Sequence, residues 1–149
     1  MNPIEQDRLI QQELANFQRQ TVVEGAAFPR DVQSVLCSIH EHLFDPRVNV
    51  SVLLDRCTIR SARIYARFKC YLKMSIRQYL EHQRMLAAMD LLERDELDLA
   101  SIAFSVGYAN YEAFSRAFRR RVGCTPGAYR KKTSEEIVNA SEGEDGVVE

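Results

Sequence analysis

The 149-residue chain has no apolar run long enough to cross a bilayer, because its hydrophobic stretches are short and interrupted. Its opening, MNPIEQDRLI, is polar and acidic and holds no apolar signal core. A cytoplasmic location is the expectation. The four cysteines, Cys37, Cys57, Cys70 and Cys124, include no C-x-x-C pair, so reduced, buried thiols are expected rather than a redox motif. Cys37, His40, Glu41 and His42 lie close together, but residues of one helix make a poor tetrahedral cage, and no metal is expected. No nucleophile–base pair, no phosphate-cradling loop and no carboxylate pair with catalytic logic is present, so neither an enzyme nor a cofactor is expected. Segments of strand period are also missing, which leaves an all-α chain.

The net charge of -1 hides an uneven distribution. Residues 1–28 carry -2, residues 29–132 carry +7 and residues 133–149 carry -6. A basic globule therefore bears an acidic tail. The tail, TSEEIVNASEGEDGVVE, lacks aromatic residues and sustained periodicity, and disorder is expected there. Its two readings are a solubilising end and a competitor of a polyanion for the basic face.

What is present is a pattern used twice. Asn49, Leu53 and Ile59 match Asp98, Ile102 and Tyr108 at an offset of 49. Ile64, Phe68, Lys69 and Tyr79 match Phe114, Phe118, Arg119 and Tyr129 at an offset of 50. Two copies are too few for a solenoid, so one supersecondary unit is repeated. Each reads as helix, short turn, helix. Asp98 caps a helix with Leu99, Ile102, Ala103 and Val106 inward, Gly107 permits a left-handed bend, and Asn110 caps a helix that buries Phe114, Phe118 and Val122. Gly123 ends that helix, and Thr125–Pro126 starts another. In the first copy Asn49 caps the leading helix and the second buries Ile64 and Phe68. Ser75 caps a long helix between the copies, and Pro29–Leu43 forms a helix before them. Residues 3–20 are read as a further N-terminal helix with Ile10, Leu14 and Phe17 in step, packing weakly on its own domain or pairing with a second copy.

The predicted organisation is all-α with about seven helices: two helix-turn-helix subdomains, about 49–72 and 98–122, joined by a linker helix over about 75–93. Residues 29–132 form the domain, 1–28 an extension and 133–149 the tail. The second helix of such a unit enters the DNA major groove by its N-terminal exposed face. In the second copy that face is Tyr111, Glu112, Ser115 and Arg116. Arg116 suits guanine O6 and N7 or a phosphate, and Glu112 suits a cytosine amine. Tyr111 and Ser115 suit bases or backbone. Arg119 lies one turn on and is assigned to phosphate, whereas Arg120 and Arg121 cannot share its direction on a helix turning about 100° per residue.

DLASIAFSVGYANYEAFSRAFRRRVGCTPGAYR closely resembles the signature of the AraC/XylS family of bacterial transcription regulators. Ile102–Ala103, Gly107–Tyr108, Phe114–Ser115–Arg116, Phe118–Arg119, Gly123, Thr125–Pro126 and Tyr129–Arg130 carry the resemblance, which extends more loosely to about Pro29. It implies two helix-turn-helix subdomains whose recognition helices enter successive major-groove segments on one face of the duplex. The first copy departs from the family pattern. Leu54 stands where a small Ala is usual, Thr58 and Lys73 where Gly is usual, and Ala66 where the second copy has Arg116. Its candidates for DNA contact are Ala62, Arg63, Tyr65 and Lys69, with Arg63 or Tyr65 toward a base and Lys69 toward phosphate.

Only 28 residues precede the match, too few for the large effector-binding domain of many such regulators. The expectation is a DNA-binding transcription regulator without that domain, nucleoid-associated, acting on double-stranded DNA as a monomer or weak dimer. The alternative is an interaction module on the same scaffold that binds another regulator or RNA polymerase.

Overall fold

The computed structural model describes residues 2–20 and 28–144, with side chains described to residue 141 apart from that of residue 20. These residues form eight helices and no strand: α1 (Pro3–Gln20), α2 (Arg30–Glu41), α3 (Val50–Arg56), α4 (Arg63–Leu72), α5 (Ile76–Leu92), α6 (Leu99–Ser105), α7 (Tyr111–Val122) and α8 (Pro126–Glu144). Short polar side chains start most of them by satisfying backbone N–H groups that have no intrahelical partner. Asn49 accepts from Val52 N at 2.9 Å, Asp98 from Ser101 N at 3.0 Å, Asn110 from Ala113 N at 2.8 Å and Thr125 from Ala128 N at 3.2 Å. At α5, Ser75 and Gln78 complete a reciprocal capping box, with bonds of 2.9 and 3.1 Å. Helix α4 has no side-chain cap.

The repeat is longer than the matching residues suggest. Asp45 N donates to His42 O and Val48 N to Asp45 O; Arg94 N donates to Leu91 O and Leu97 N to Arg94 O, the same pattern 49 residues later. Arg84 then donates to Leu43 O at 2.8 Å and Asp45 O at 3.0 Å. Arg130 donates to the equivalent carbonyls, Leu92 O and Arg94 O, both at 3.1 Å. Each unit is therefore four helices, α2–α5 and α5–α8, with α5 serving both.

The left-handed turn residues also coincide. Gly107 and Gly123 have φ of 104° and 98°, and their counterparts Thr58 and Lys73 have φ of 56° and 63°. The backbone keeps the turn even where glycine is missing, at a steric cost that glycine would not incur.

Two hydrophobic cores result. Val32, Leu36, Ile39, Leu53, Ile64 and Phe68 centre the first, and Leu91, Ile102, Val106, Phe114 and Phe118 centre the second. Phe17 and Phe44 pack against both. Helix α1 turns Ile10 and Leu14 into the second core, so its apolar stripe is used within this chain.

Three expectations change. The eighth helix is α1, which joins the core instead of lying loosely on it. Cys37 and Cys70 are exposed and not buried, because each falls on the solvent side of its helix. Residues 133–144, expected to be disordered, continue α8; the remaining tail residues lie outside the described residues. The helix is carried past the basic segment by its own backbone ladder, by Thr133 Oγ1 donating to Tyr129 O at 2.9 Å and by Ser134 Oγ bonding Asp95 at 3.2 Å.

Candidate nucleic-acid interface

Helix α7 buries Phe114, Ala117 and Phe118, and the ring centroids of Phe114 and Phe118 lie 5.7 Å apart. A helix anchored by that stripe must present the opposite arc to solvent. Tyr111, Glu112, Ser115, Arg116 and Arg119 share that arc, which spans about 140° at about 100° per residue. Glu112, Arg116 and Arg119 are exposed; Ser115 and Tyr111 are half-buried. Tyr111 leans on Phe114, with centroids 6.3 Å apart, so it serves the core as well as the surface.

Arginines divide sharply by partner. Arg120 and Arg121 reach back to Glu81 of α5, at 2.7 and 3.3 Å. Arg84 is buried at 8% exposure, lies over the Tyr108 ring at 5.9 Å, and its burial lowers its pKa. Arg67 of α4 pairs with Asp31 at 2.7 Å and holds that carboxyl below its ordinary value. By contrast, Arg63, Lys69, Arg116 and Arg119 are exposed and form no ion pair with any described residue. Arg60, Arg77, Lys131 and Lys132 are likewise exposed and without an ion pair to a described residue.

On α4, Ala62, Arg63, Tyr65 and Lys69 occupy an arc opposite the buried Ile64 and Phe68, and all four are exposed. Tyr65 is 52% exposed and stacks on no ring among the described residues. Arg116 has no basic counterpart here, since Ala66 holds its place. The two units also differ in how their paired helices meet. Helix α6 packs closely on α7, whereas α3 and α4 meet loosely and leave a cleft of about 350 Å³ lined by Leu54, Arg60 and Tyr65 among others. Leu54 occupies the place of the much smaller Ala103 at this crossing.

One basic residue was missed from sequence. Arg77, exposed in the first turn of α5, shares a cleft of about 590 Å³ with Arg120 and Arg121. Nothing in its own sequence neighbourhood marks it, because the cleft forms only when α7 docks on α5.

Two helix-turn-helix units sharing a linker helix, each with an exposed cationic arc, define a double helix-turn-helix DNA-binding domain. The helix-turn-helix domain family matches residues 53–132. The chain is 29% identical over 103 residues to the HTH-type transcriptional regulator AlkR of Acinetobacter baylyi, covering 69% of this chain and 33% of that protein. It is 28% identical over 101 residues to regulatory protein SoxS of Escherichia coli K12, covering 68% of this chain and 94% of SoxS. Thus the match spans about a third of one relative and nearly all of another.

Among solved structures, the C-terminal domain of AraT, a response regulator from Geobacillus stearothermophilus, superposes with a TM-score of 0.68 at 25% identity, over 72% of this chain and 88% of that one. The DNA-binding domain of AdpA, solved with a target DNA, superposes at 0.65 with 27% identity, over 72% and 96%. The chain belongs to the AraC/XylS family of helix-turn-helix, DNA-binding transcription regulators. No described helix is long and apolar enough to cross a membrane.

Proposed function

We propose that residues 29–132 bind one face of duplex DNA sequence-specifically, with α7 as the main reader and α4 as the weaker one. The observation that carries this reading is the division of charge on α7. Arg116 and Arg119 stay free on the exposed arc while Arg120 and Arg121 are tied to Glu81. Arg116 grips guanine O6 and N7, Glu112 accepts from a cytosine amine, and Ser115 with Tyr111 steadies the neighbouring base or sugar. Arg119 holds a phosphate. On α4, Lys69 meets phosphate and Arg63 or Tyr65 touches a base edge, with Ala62 allowing close approach. Arg77 adds a phosphate contact beside the linker.

Two readers on one chain cover about 20 bp, two turns of DNA, without needing a palindrome. Bound in this way, the protein resides on the nucleoid. Selection of bound duplexes from a random 30-bp pool at near-physiological salt tests the reading. Two enriched blocks about one helical turn apart support both readers, and a single block supports α7 alone. Absence of enrichment with folded protein would shift the reading to a protein-interaction module that binds another regulator or RNA polymerase. A steep salt dependence, about 0.9 log units per phosphate contact, separates the two, since a protein–protein site responds weakly.

A further inference from the structure

We infer that α1 is a second tie between the two units, parallel to the linker α5, and that it sets which spacing of two DNA blocks the protein accepts. The inference rests on the reading that both units engage one duplex. Helix α1 is anchored firmly at its middle to the second unit. Ile10 and Leu14 are 1% and 4% exposed in that core, and Glu13 accepts from Arg94 at 2.6 Å. One turn later the same helix reaches the first unit. Gln18 Nε2 donates to His40 O at 3.0 Å, in the last turn of α2, and Phe17 lies 6.1 Å from Phe44, ring centroid to centroid.

The placement of this reach matters mechanically. Among the described residues, Phe17 and Phe44 are the partly buried apolar side chains that pack against both cores, so they sit at the joint. Within α5 itself, Arg84 holds the carbonyls of Leu43 and Asp45 on one side and lies over the Tyr108 ring on the other. Helices curve gently, so one shared helix with this side chain still leaves room for the units to bend about the joint. A second helix fixed on both sides of the joint opposes that bend.

The consequence falls on the duplex. Moving one block by a base pair shifts it by about 3.4 Å and turns it by roughly 35°, from about 10–10.5 bp per 34–36 Å turn. A protein with a stiff joint must strain itself or the DNA to follow that shift, and one with a hinge need not.

The test uses the full chain and the double substitution Phe17→Ala with Gln18→Ala, which leaves Ile10 and Leu14 in the second core. Affinity is measured on duplexes carrying the two selected blocks at their best separation and at separations 1 and 2 bp shorter and longer. The parent is expected to lose about tenfold or more at 2 bp from its optimum, from a strain of about 1.4 kcal/mol or more. The variant is expected to lose under about threefold at the same separations. An unchanged spacing profile, or equal weakening at every separation, overturns the inference.

A second readout needs no DNA. Spin labels on Cys70 of α4 and on Lys132→Cys of α8, with the other cysteines changed to serine, report the distance between the units by pulsed electron resonance. The distribution should broaden in the variant, and in Gln18→Ala alone by a smaller amount. If the parent binds no two-block duplex, the DNA reading fails, and this measurement still decides the tie: an unbroadened distribution in a folded variant overturns it.

Discussion

Arg84 closes so tightly on Gly107 that a β carbon there would stand 2.9 Å from both its Cζ and its Nε. The guanidinium cannot retreat freely, since it is bonded to Leu43 O and Asp45 O across the joint. Gly107 also has a φ of 104°, which L side chains avoid. Gly107→Ala is therefore expected to lower unfolding stability by about 2–4 kcal/mol, combining backbone strain with displacement of a buried hydrogen-bonded group. Urea unfolding measures it. A loss under about 0.5 kcal/mol would show that Arg84 yields at no cost.

The reverse change is expected to help in the first unit. Thr58 and Lys73 adopt φ of 56° and 63° where the second unit has glycine. A β-branched residue fits the left-handed region poorly, and Lys fits it somewhat better at a helix end. Thr58→Gly should stabilise by about 1 kcal/mol and Lys73→Gly by about 0.5, after the entropy glycine loses on folding. Thermal midpoints should rise by about 2–4 °C per kcal/mol.

Arg116 and Lys69 should fail in different ways. Arg116→Ala is expected to reduce affinity for the selected site and to flatten discrimination at one base pair, by about 1–3 kcal/mol. Lys69→Ala should weaken all sequences alike and reduce the salt slope by about 0.9. Competition binding with single-base variants of the site distinguishes them. Unaltered discrimination in Arg116→Ala would remove α7 from its assigned role.

Glu81 restrains two arginines at once, Arg120 at 2.7 Å and Arg121 at 3.3 Å. Glu81→Gln releases them and deletes a negative charge beside Arg77. Affinity for random duplex should rise and its salt dependence steepen by about 1–2 slope units. Stability should fall by about 1–2 kcal/mol, because the Arg120 side chain is 62% exposed while Arg121 and Glu81 are only 24% and 14% exposed. Identical salt slopes in parent and variant would place these arginines away from DNA.

A pH effect follows from His40. Its Nε2 lies 2.8 Å from the Tyr79 hydroxyl, and its buried Nδ1 has no partner among the described residues. Burial lowers the imidazole below its ordinary 6.5 and pushes the Tyr79 hydroxyl up to about 12. In the unfolded chain His40 takes up a proton as pH falls through about 6.5, while the folded state resists until a lower pH. The unfolded state then holds more protons, so stability declines on acidification across that window. The drop in thermal midpoint between pH 7.5 and 5.5 should shrink in His40→Gln.

Much of this architecture was legible because local signals agreed. Asn49, Ser75, Asp98, Asn110 and Thr125 each cap the helix their side-chain chemistry predicts. Phe68, Phe114 and Phe118 fall on buried faces as their spacing requires. The exposed arcs of α4 and α7 follow from the same period, and so did the positions of Arg63, Lys69, Arg116 and Arg119. The helical continuation of residues 133–144 was not legible, since an acidic, aperiodic segment gives no packing signal even where the backbone ladder extends.

The sequence by itself determined the repeat, the helices and which side chains of each helix face outward, because caps, turns and periodicity act over a few residues. Only the tertiary structure decided which cations remain free. Arg120 and Arg121 look like Arg119 in sequence, yet Glu81, some forty residues earlier, claims them. In the same way Arg84 selects two carbonyls about forty residues away, and α1 finds both cores at once. Charge pairing and burial depend on distance in space, and that distance exists only after the helices have packed.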